Sequence, residues 1–321
     1  MKRFLAILTV LAVVLVAFAA CGGGQGETPS GATAMTMGTG GTQGTYYAYG
    51  GILGNQIKSA TGITTNVVST DGSKANILGI DLGTYQLGTV QSDVMAYAVA
   101  GSRTFEAEGA IDTFRVIGGL YAEAVQLITM DPEIKSVADL KGRTVSIGAP
   151  GSGVYFNAVD VLAAAGLTED DIKAQYQSFG DSADALKDGK IDAFFCTAGA
   201  PTVAITDLAT TTGIVLVEID AEHLAALQKD YGFYAEYKVP AGTYKGIDSE
   251  VSTVAVKATF IVSNDLDEET VYQLTKAMYE NAGEYAHEKA SEMTIEYAVS
   301  SISVPFHPGA ERYYKEVGAI S

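Results

Sequence analysis

Gly38-Thr39-Gly40-Gly41-Thr42-Gln43-Gly44-Thr45-Tyr46-Tyr47 is the stretch whose reading decides the architecture. A short apolar run leads into it and a helical pattern leaves it near Thr45, so the glycines stand between a strand and a helix. Such a turn points free backbone N–H groups outward beside hydroxyls, an arrangement suited to an anion. Nucleotide signatures do not fit. No Gly-Lys-Ser/Thr follows at phosphate-loop spacing, and Gln43 stands where a dinucleotide fingerprint needs its third glycine. Asp71, after the second strand, matches a ribose-binding acid only superficially. Taken alone, the segment also reads as a plain strand-to-helix turn.

Outward from it the pattern repeats. Residues 64–69, 86–90, 114–117, 144–147, 191–195 and 214–218 are β-branched or apolar runs, each leading to a helix-like stretch. That alternation predicts α/β units with parallel sheets. Punctuation agrees: Ser136 with Asp139 three residues on forms a capping box, Gly166 closes a helix starting at Val154, and Pro201 suits a first helical turn. A C-terminal helix is expected over 268–288.

A second glycine turn, Gly148-Ala149-Pro150-Gly151-Ser152-Gly153-Val154, again lies between strand and helix. Gly151 and Gly153 let a ligand approach the backbone and Ser152 adds a hydroxyl. Gln91-Ser92-Asp93 and Thr197-Ala198-Gly199-Ala200-Pro201-Thr202 follow the same rule. Four such turns at carboxyl ends of strands imply one shared pocket, because open α/β sheets bind ligands there.

The chain opens with Lys2 and Arg3, then an apolar run from Phe4 to Ala20 broken only by Thr9, then small residues before Cys21. This is an export signal, too short and too weakly flanked to read as a retained membrane span. Ala19-Ala20-Cys21 resembles a lipobox, with Cys21 the acylated first residue, although Phe18 departs from the usual aliphatic residue; Ala17-Phe18-Ala19 also suits ordinary signal peptidase. The expected organisation is a signal over 1–20 and a disordered Gly-rich tether over 21–34. The working part then lies outside the cytoplasm, in the periplasm or at the cell surface. Cys196, the second of only two cysteines, has no partner for a disulfide. Without Lys2 and Arg3, 18 basic side chains face 38 acidic ones, a net charge of about −20 that disfavours nucleic acid as a partner.

Two extended apolar runs, 125–129 and 254–262, can carry the backbone between two lobes and back, forming a hinge around a cleft. Two neighbouring strands of one large sheet fit the same periodicity. On the first reading lobe one comprises residues 35–124 plus 252–321 and lobe two residues 125–251.

Along nearly its whole mature length the chain resembles the TAXI-type solute-binding proteins of TRAP transporters. The resemblance rests on Gly40-Gly41-Thr42-Gln43-Gly44-Thr45-Tyr46-Tyr47, Gln91-Ser92-Asp93, Gly148-Ala149-Pro150-Gly151-Ser152-Gly153, Pro240-Ala241-Gly242-Thr243-Tyr244, Thr253-Val254-Ala255-Val256 and His307-Pro308-Gly309-Ala310. Ser136-Val137-Ala138-Asp139-Leu140-Lys141-Gly142 and Ala185-Leu186-Lys187-Asp188-Gly189-Lys190-Ile191-Asp192-Ala193 occur in many type II periplasmic binding proteins and report the fold. The resemblance implies a two-lobed receptor of that fold, each lobe a mixed sheet flanked by helices. It implies closure on a small organic anion or amino acid of the glutamate, glutamine or 2-oxoglutarate class, delivered to a membrane permease. By motif match, Gly41, Thr42, Thr45, Tyr46 and Tyr47, with Gln91 and Ser92, face Gly151, Ser152, Gly153 and Val154, and Ala198, Gly199, Pro201 and Thr202 complete the second wall. These motifs hold no arginine, so N–H groups, hydroxyls and helix dipoles would hold a carboxylate. Asp93, Glu123 and Asp181 are the candidate acceptors for a ligand ammonium.

An enzyme on the same fold is the competing class. Cys196 and His223 are the tempting nucleophile and base, but Cys196 ends the apolar run Phe194-Phe195-Cys196 and His223 sits in an acidic helix with no orienting third group. His287 and His307 are isolated, and no metal-ligand spacing is present, so neither a metal nor a cofactor is expected. An anchored ligand sensor would use the same pocket and hinge.

Overall fold

The structure, a computed structural model, describes residues 34–280 and 282–321; the expected export signal, Cys21 and the expected tether up to residue 33 lie outside the described residues. At one end of a ten-stranded sheet, β1 (Ala34–Gly38), β2 (Thr64–Val68) and β3 (Leu87–Gln91) run parallel in the order β2-β1-β3. The helices α1 (Thr45–Thr61) and α2 (Ser73–Asp81) connect them and α3 (Ser92–Ala100) follows. Then β4 (Phe114–Thr129) crosses to the other end. There β5 (Thr144–Ser146), β6 (Lys173–Gln175) and β7 (Ala193–Ala198) form a second parallel set in the order β7-β5-β6, connected by α4 (Val154–Ala164) and α5 (Phe179–Lys187). Next come α6 (Val203–Thr211), β8 (Val215–Val217), α7 (Ala221–Asp230) and β9 (Ala235–Val239). The return strand β10 (Val251–Ser263) leads to α8 (Glu268–Tyr279), α9 (Ile295–Val299) and α10 (Pro308–Glu316).

β4 and β10 join the two ends. They are antiparallel neighbours from Phe114↔Ser263 to Ala124↔Ala255, and each changes its second partner along its length. β10 pairs with β3 through Ala258–Val262 and with β9 through Val251–Ala255. β4 pairs with β7 only from Ala124 onward. The run 254–262 lies in β10 and pairs with the first part of β4, whereas 125–129 is the end of β4 beyond its last pair with β10, where β7 and β8 flank it; both runs belong to strands of one hydrogen-bonded sheet. Parallel pairing alone does not describe it, because every pair involving β4 or β10 is antiparallel.

Three local readings are corrected, and a fourth holds in a shorter element than expected. Residues 114–117 lead to no helix; they open the long β4. The 268–288 helix stops at Tyr279 and short 3₁₀ turns follow. Pro201 precedes α6, whose N-cap is Thr202, and so lies outside the first turn. The Ser136–Asp139 capping box is present but opens a single 3₁₀ turn, Val137–Leu140.

Each end has its own apolar core. α1 turns Tyr46, Tyr49, Leu53 and Ile57 inward onto β1 and α8, the spacing of a helical stripe. A Cβ on Gly50 would stand 2.7 Å from the Thr39 methyl, so glycine is what lets α1 lie so close to the sheet. β7 reads Ala-Phe-Phe-Cys-Thr-Ala with every residue buried, because helices cover both of its faces. Each buried Leu, Ile or Phe contributes roughly 1.5–3 kcal/mol.

Candidate functional site

The turn after β1 and the turn after β5 meet. Between them lies a cavity of about 60 Å³ that opens to a mouth of about 710 Å³. From the β1 end its walls are Gly40, Gly41, Gly44, Thr45, Tyr46, the Asp71–Ser73 turn and Gln91; from the β7 end they are Ser152, Gly153, Val154, Phe179, Thr197 and Ala198. Glu123 of β4 lies between the two groups. No Lys or Arg lines the cavity among the described residues.

Backbone supplies the positive field. α1 starts from Gly44 and α4 from Gly153, and neither N-terminus has a side-chain cap or an acid in its first turn. Two buried hydroxyls, Ser152 Oγ and Thr197 Oγ1, have no hydrogen-bond partner. An unmade bond of this kind costs about 1–3 kcal/mol, which a guest offering donors or acceptors relieves.

The carboxyl group of Glu123 reaches the cavity. Tyr46 Oη–H donates to Glu123 Oε2 at 2.5 Å. Burial drives the Glu123 carboxyl well above the usual carboxylate range, the Tyr46 bond opposes that, and the proximity of Asp93 adds to it.

Hydrogen bonds tie the two ends together around the cavity. Lys74 N–H and Ala75 N–H donate to Gly151 O at 3.0 and 3.4 Å, while Ala204 N–H donates to Gln43 O at 3.1 Å. Each glycine turn thereby caps a helix on the opposite side. Thr45 Oγ1–H donates to Gly199 O at 3.0 Å and Gln91 Nε2–H to Asn157 Oδ1 at 2.7 Å. Arg103 pairs with Asp160 at 2.9 Å, pushing against the burial that raises this carboxyl.

The structure gathers Gly41, Thr45, Tyr46, Gln91, Ser152, Gly153, Val154 and Ala198 at the cavity, with Thr42 at its mouth. Others expected there are elsewhere. Tyr47 is 37% exposed on the outer face of α1, because only one of two adjacent helical residues can face the core. Ser92 turns to the opposite side, where its Oγ accepts Lys257 N–H. Gly151 contributes its carbonyl to α2 instead of a ligand surface, and Gly199 O accepts from Thr45 and Thr202. Thr202 bonds to Gln126 and Gly199, with Pro201 beside it, outside the lining. Of the three candidate acids, Glu123 reaches the cavity. Asp93 is buried against Asn157, and Asp181 bonds to Ser178 at the mouth.

Thr197 opens a turn that the sequence marks, although it is not among the residues assigned to the second wall, and the sequence gives no sign of Phe179. Phe179 covers the cavity from α5 so closely that a Cβ on Gly44 would stand 3.3 Å from its ring. The same strand–turn–helix rule would have found it had β6, three polar residues long, been readable as a strand. Cys196 is fully buried in β7, its thiol pushed up by burial, and His223 is engaged with Asp220 at 2.8 Å. Among the described residues no group of three or more His, Cys, Asp or Glu could hold a metal ion.

Residues 37–318 match the NMT1-like family. The chain belongs to that family. Its fold is that of type II periplasmic binding proteins, as the structural neighbours of this family member show. The alkanesulfonate-binding protein SsuA from Xanthomonas axonopodis pv. citri, bound to MOPS, superposes with a TM-score of 0.53 at 16% identity, over 88% of this chain and 83% of that one. PhnD1 from Prochlorococcus marinus, in complex with methylphosphonate, gives 0.54 at 10% identity, over 90% and 99%. A putative L-cystine ABC transporter protein from Listeria monocytogenes gives 0.50 at 16% identity, over 83% and 98%.

Proposed function

We propose that the protein is an extracytoplasmic solute-binding receptor that captures a small carboxylate or amino acid, of the glutamate, glutamine or 2-oxoglutarate class, and hands it to a TRAP-type membrane permease. One observation carries this: a cavity walled from both ends of the sheet by uncapped helix N-termini and unpartnered hydroxyls, with no cationic side chain. The family and a fold shared with proteins of small anions and amino acids support it. The receptor works by closure of two lobes, residues 35–124 plus 252–321 against 125–251, about β4 and β10. Only the closed arrangement presents both helix N-termini to one guest, so ligand shifts the population toward it. On this reading Cys21 carries the lipid anchor, and no catalysis is involved.

The test is unfolding of protein stripped of bound ligand, in the presence of carboxylates, amino acids, short sulfonates and methylphosphonate. A true ligand at a hundredfold excess over its Kd adds ~2.7 kcal/mol. Ser152→Trp should abolish that gain. Absence of stabilisation by every compound overturns the proposal, and stabilisation by sulfonate or phosphonate alone replaces the carboxylate class.

A further inference from the structure

A chain of hydrogen bonds with one fixed polarity ends at the cavity. It begins where Arg103 donates to Asp160 Oδ1 at 2.9 Å. Tyr234 Oη–H donates to Asp160 Oδ2 at 2.9 Å, which commits the only hydrogen of that hydroxyl. Toward Asn157, Tyr234 can therefore only accept. Asn157 must present Nδ2, which donates to Tyr234 Oη at 3.0 Å and to Asp93 Oδ2 at 2.9 Å. Its Oδ1 then has to face Gln91 and accepts Nε2–H at 2.7 Å. Gln91 is left with Oε1 on the side of Gly153, where a Cβ would come within 1.2 Å of that oxygen. Gln91 and Gly153 both line the cavity.

None of these groups has slack. Asn157 and Asp93 are fully buried, and Gln91, Asp160 and Tyr234 are each 2% exposed, so no water competes to turn either amide round. Glycine at 153 is what lets the Gln91 carboxamide reach across the cleft to Asn157. A mere packing role would not need two buried amides whose orientations are set in sequence by an ion pair.

We propose that Gln91 is a specificity-determining residue and Asn157 its positioning residue: the relay from Arg103 through Asp160, Tyr234 and Asn157 makes Gln91 offer an acceptor to the ligand. The inference rests on the receptor reading above and narrows it. The guest carries, beside its anionic group, a hydrogen-bond donor such as an ammonium or a hydroxyl. A ligand with a carbonyl oxygen at that position meets Gln91 acceptor to acceptor and is rejected, as buried polar groups reject partners that leave them unpaired.

Matched probes test it on stripped full-chain protein by calorimetry: L-glutamate against 2-oxoglutarate, L-alanine against pyruvate, and taurine against ethanesulfonate. The expected result is that, in whichever pair binds, the amine-bearing member binds at least about tenfold tighter. Asn157→Ser frees Gln91 to turn, and Tyr234→Phe removes the group that orders Asn157. Both should retain binding while the ratio within the pair falls toward one. A purely structural role would weaken both members alike and leave the ratio unmoved, which would overturn the relay, as would a wild-type preference for the member lacking the amine. If Asn157→Ser fails to fold, Tyr234→Phe and Arg103→Gln at the partly exposed end of the relay give the same readout. Binding by no pair and by no other compound of the unfolding screen overturns the receptor reading itself, and the relay with it; binding of methylphosphonate alone, or of a pair without discrimination, overturns the relay alone.

Discussion

α7, α8 and α10 each begin on a side chain that accepts their first N–H groups, from Asp220, Asp267 and His307, whereas α1 and α4 begin on Gly44 and Gly153, which offer nothing. The same division runs through the first turns. Glu222, Glu268 and Glu311 complement the dipoles of the peripheral helices, and no acid does so in α1, α2, α4 or α6. A missing cap costs about 0.5–2 kcal/mol. Across the cleft the cost is partly recovered, because Gly151 O serves α2 and Gln43 O serves α6. α1 and α4 stay uncovered, and their N-termini border the cavity together with that of α5, which Ser178 caps. Stability is thus withheld at two helix ends where an anionic guest can supply it.

The harshest way to break this comparison is to fill the space that an uncapped terminus keeps open. Gly153→Leu puts a side chain where Gln91 Oε1 now stands, while φ at 153 is an ordinary −76° that leucine accepts. The fold should survive, ligand affinity should fall at least about a hundredfold, and X-ray scattering should show an expanded particle with or without ligand. Unchanged scattering and affinity would show that Gln91 need not cross the cleft.

Acids at the two kinds of helix start should titrate with opposite sign. At α8, hydrogen bonds from Thr270 hold Asp267 below its ordinary pKa, so its contribution is present above the unfolded pKa and is lost on acidification through the folded one. At α3, burial raises Asp93 to about 7, so the folded state holds a proton that the unfolded state releases near 4. The stability it contributes is complete below pH 4 and is lost as pH rises through about 7. Urea unfolding at pH 5 and pH 8 should therefore show wild type losing stability relative to Asp93→Asn over that interval. Parallel profiles would mean that Asp93 is not protonated in the fold.

Asp267→Ala removes the acceptor for Thr270 N–H and should cost about 1 kcal/mol in unfolding measurements without changing ligand affinity. The smallest effect comes from giving α1 what α8 has. Tyr47→Glu, at an exposed position in the first turn, should stabilise ligand-free protein by about 0.3–1 kcal/mol and weaken anion binding several-fold. A gain in both would uncouple the bare helix end from ligand capture.

How much of this was legible depends on the range of the interactions. The glycine turns at 38–47 and 148–154 were readable because strand, turn and helix signals are local, and they mark where the sheet's two ends meet. The length of β4 was not, since Gly118 and Gly119 interrupt its apolar pattern. Those glycines make room for side chains distant in sequence: a Cβ on Gly118 would collide with the hydroxyls of Tyr314 and Tyr279. Phe179 was hidden behind the polar three-residue β6. The relay from Arg103 to Gln91 escaped notice for the same reason, because its members come from β3, α4 and the segments following α3 and α7. Asp93, named as an acceptor for a ligand, proved to be an acceptor for Asn157.

The most direct test of the account is a crystal structure of the protein with a ligand drawn from the unfolding screen. The account predicts the anionic group within hydrogen-bond distance of first-turn N–H groups of α1 or α4 and of Ser152 Oγ or Thr197 Oγ1. A ligand bound elsewhere, with that cavity empty and both hydroxyls still unpartnered, would contradict it.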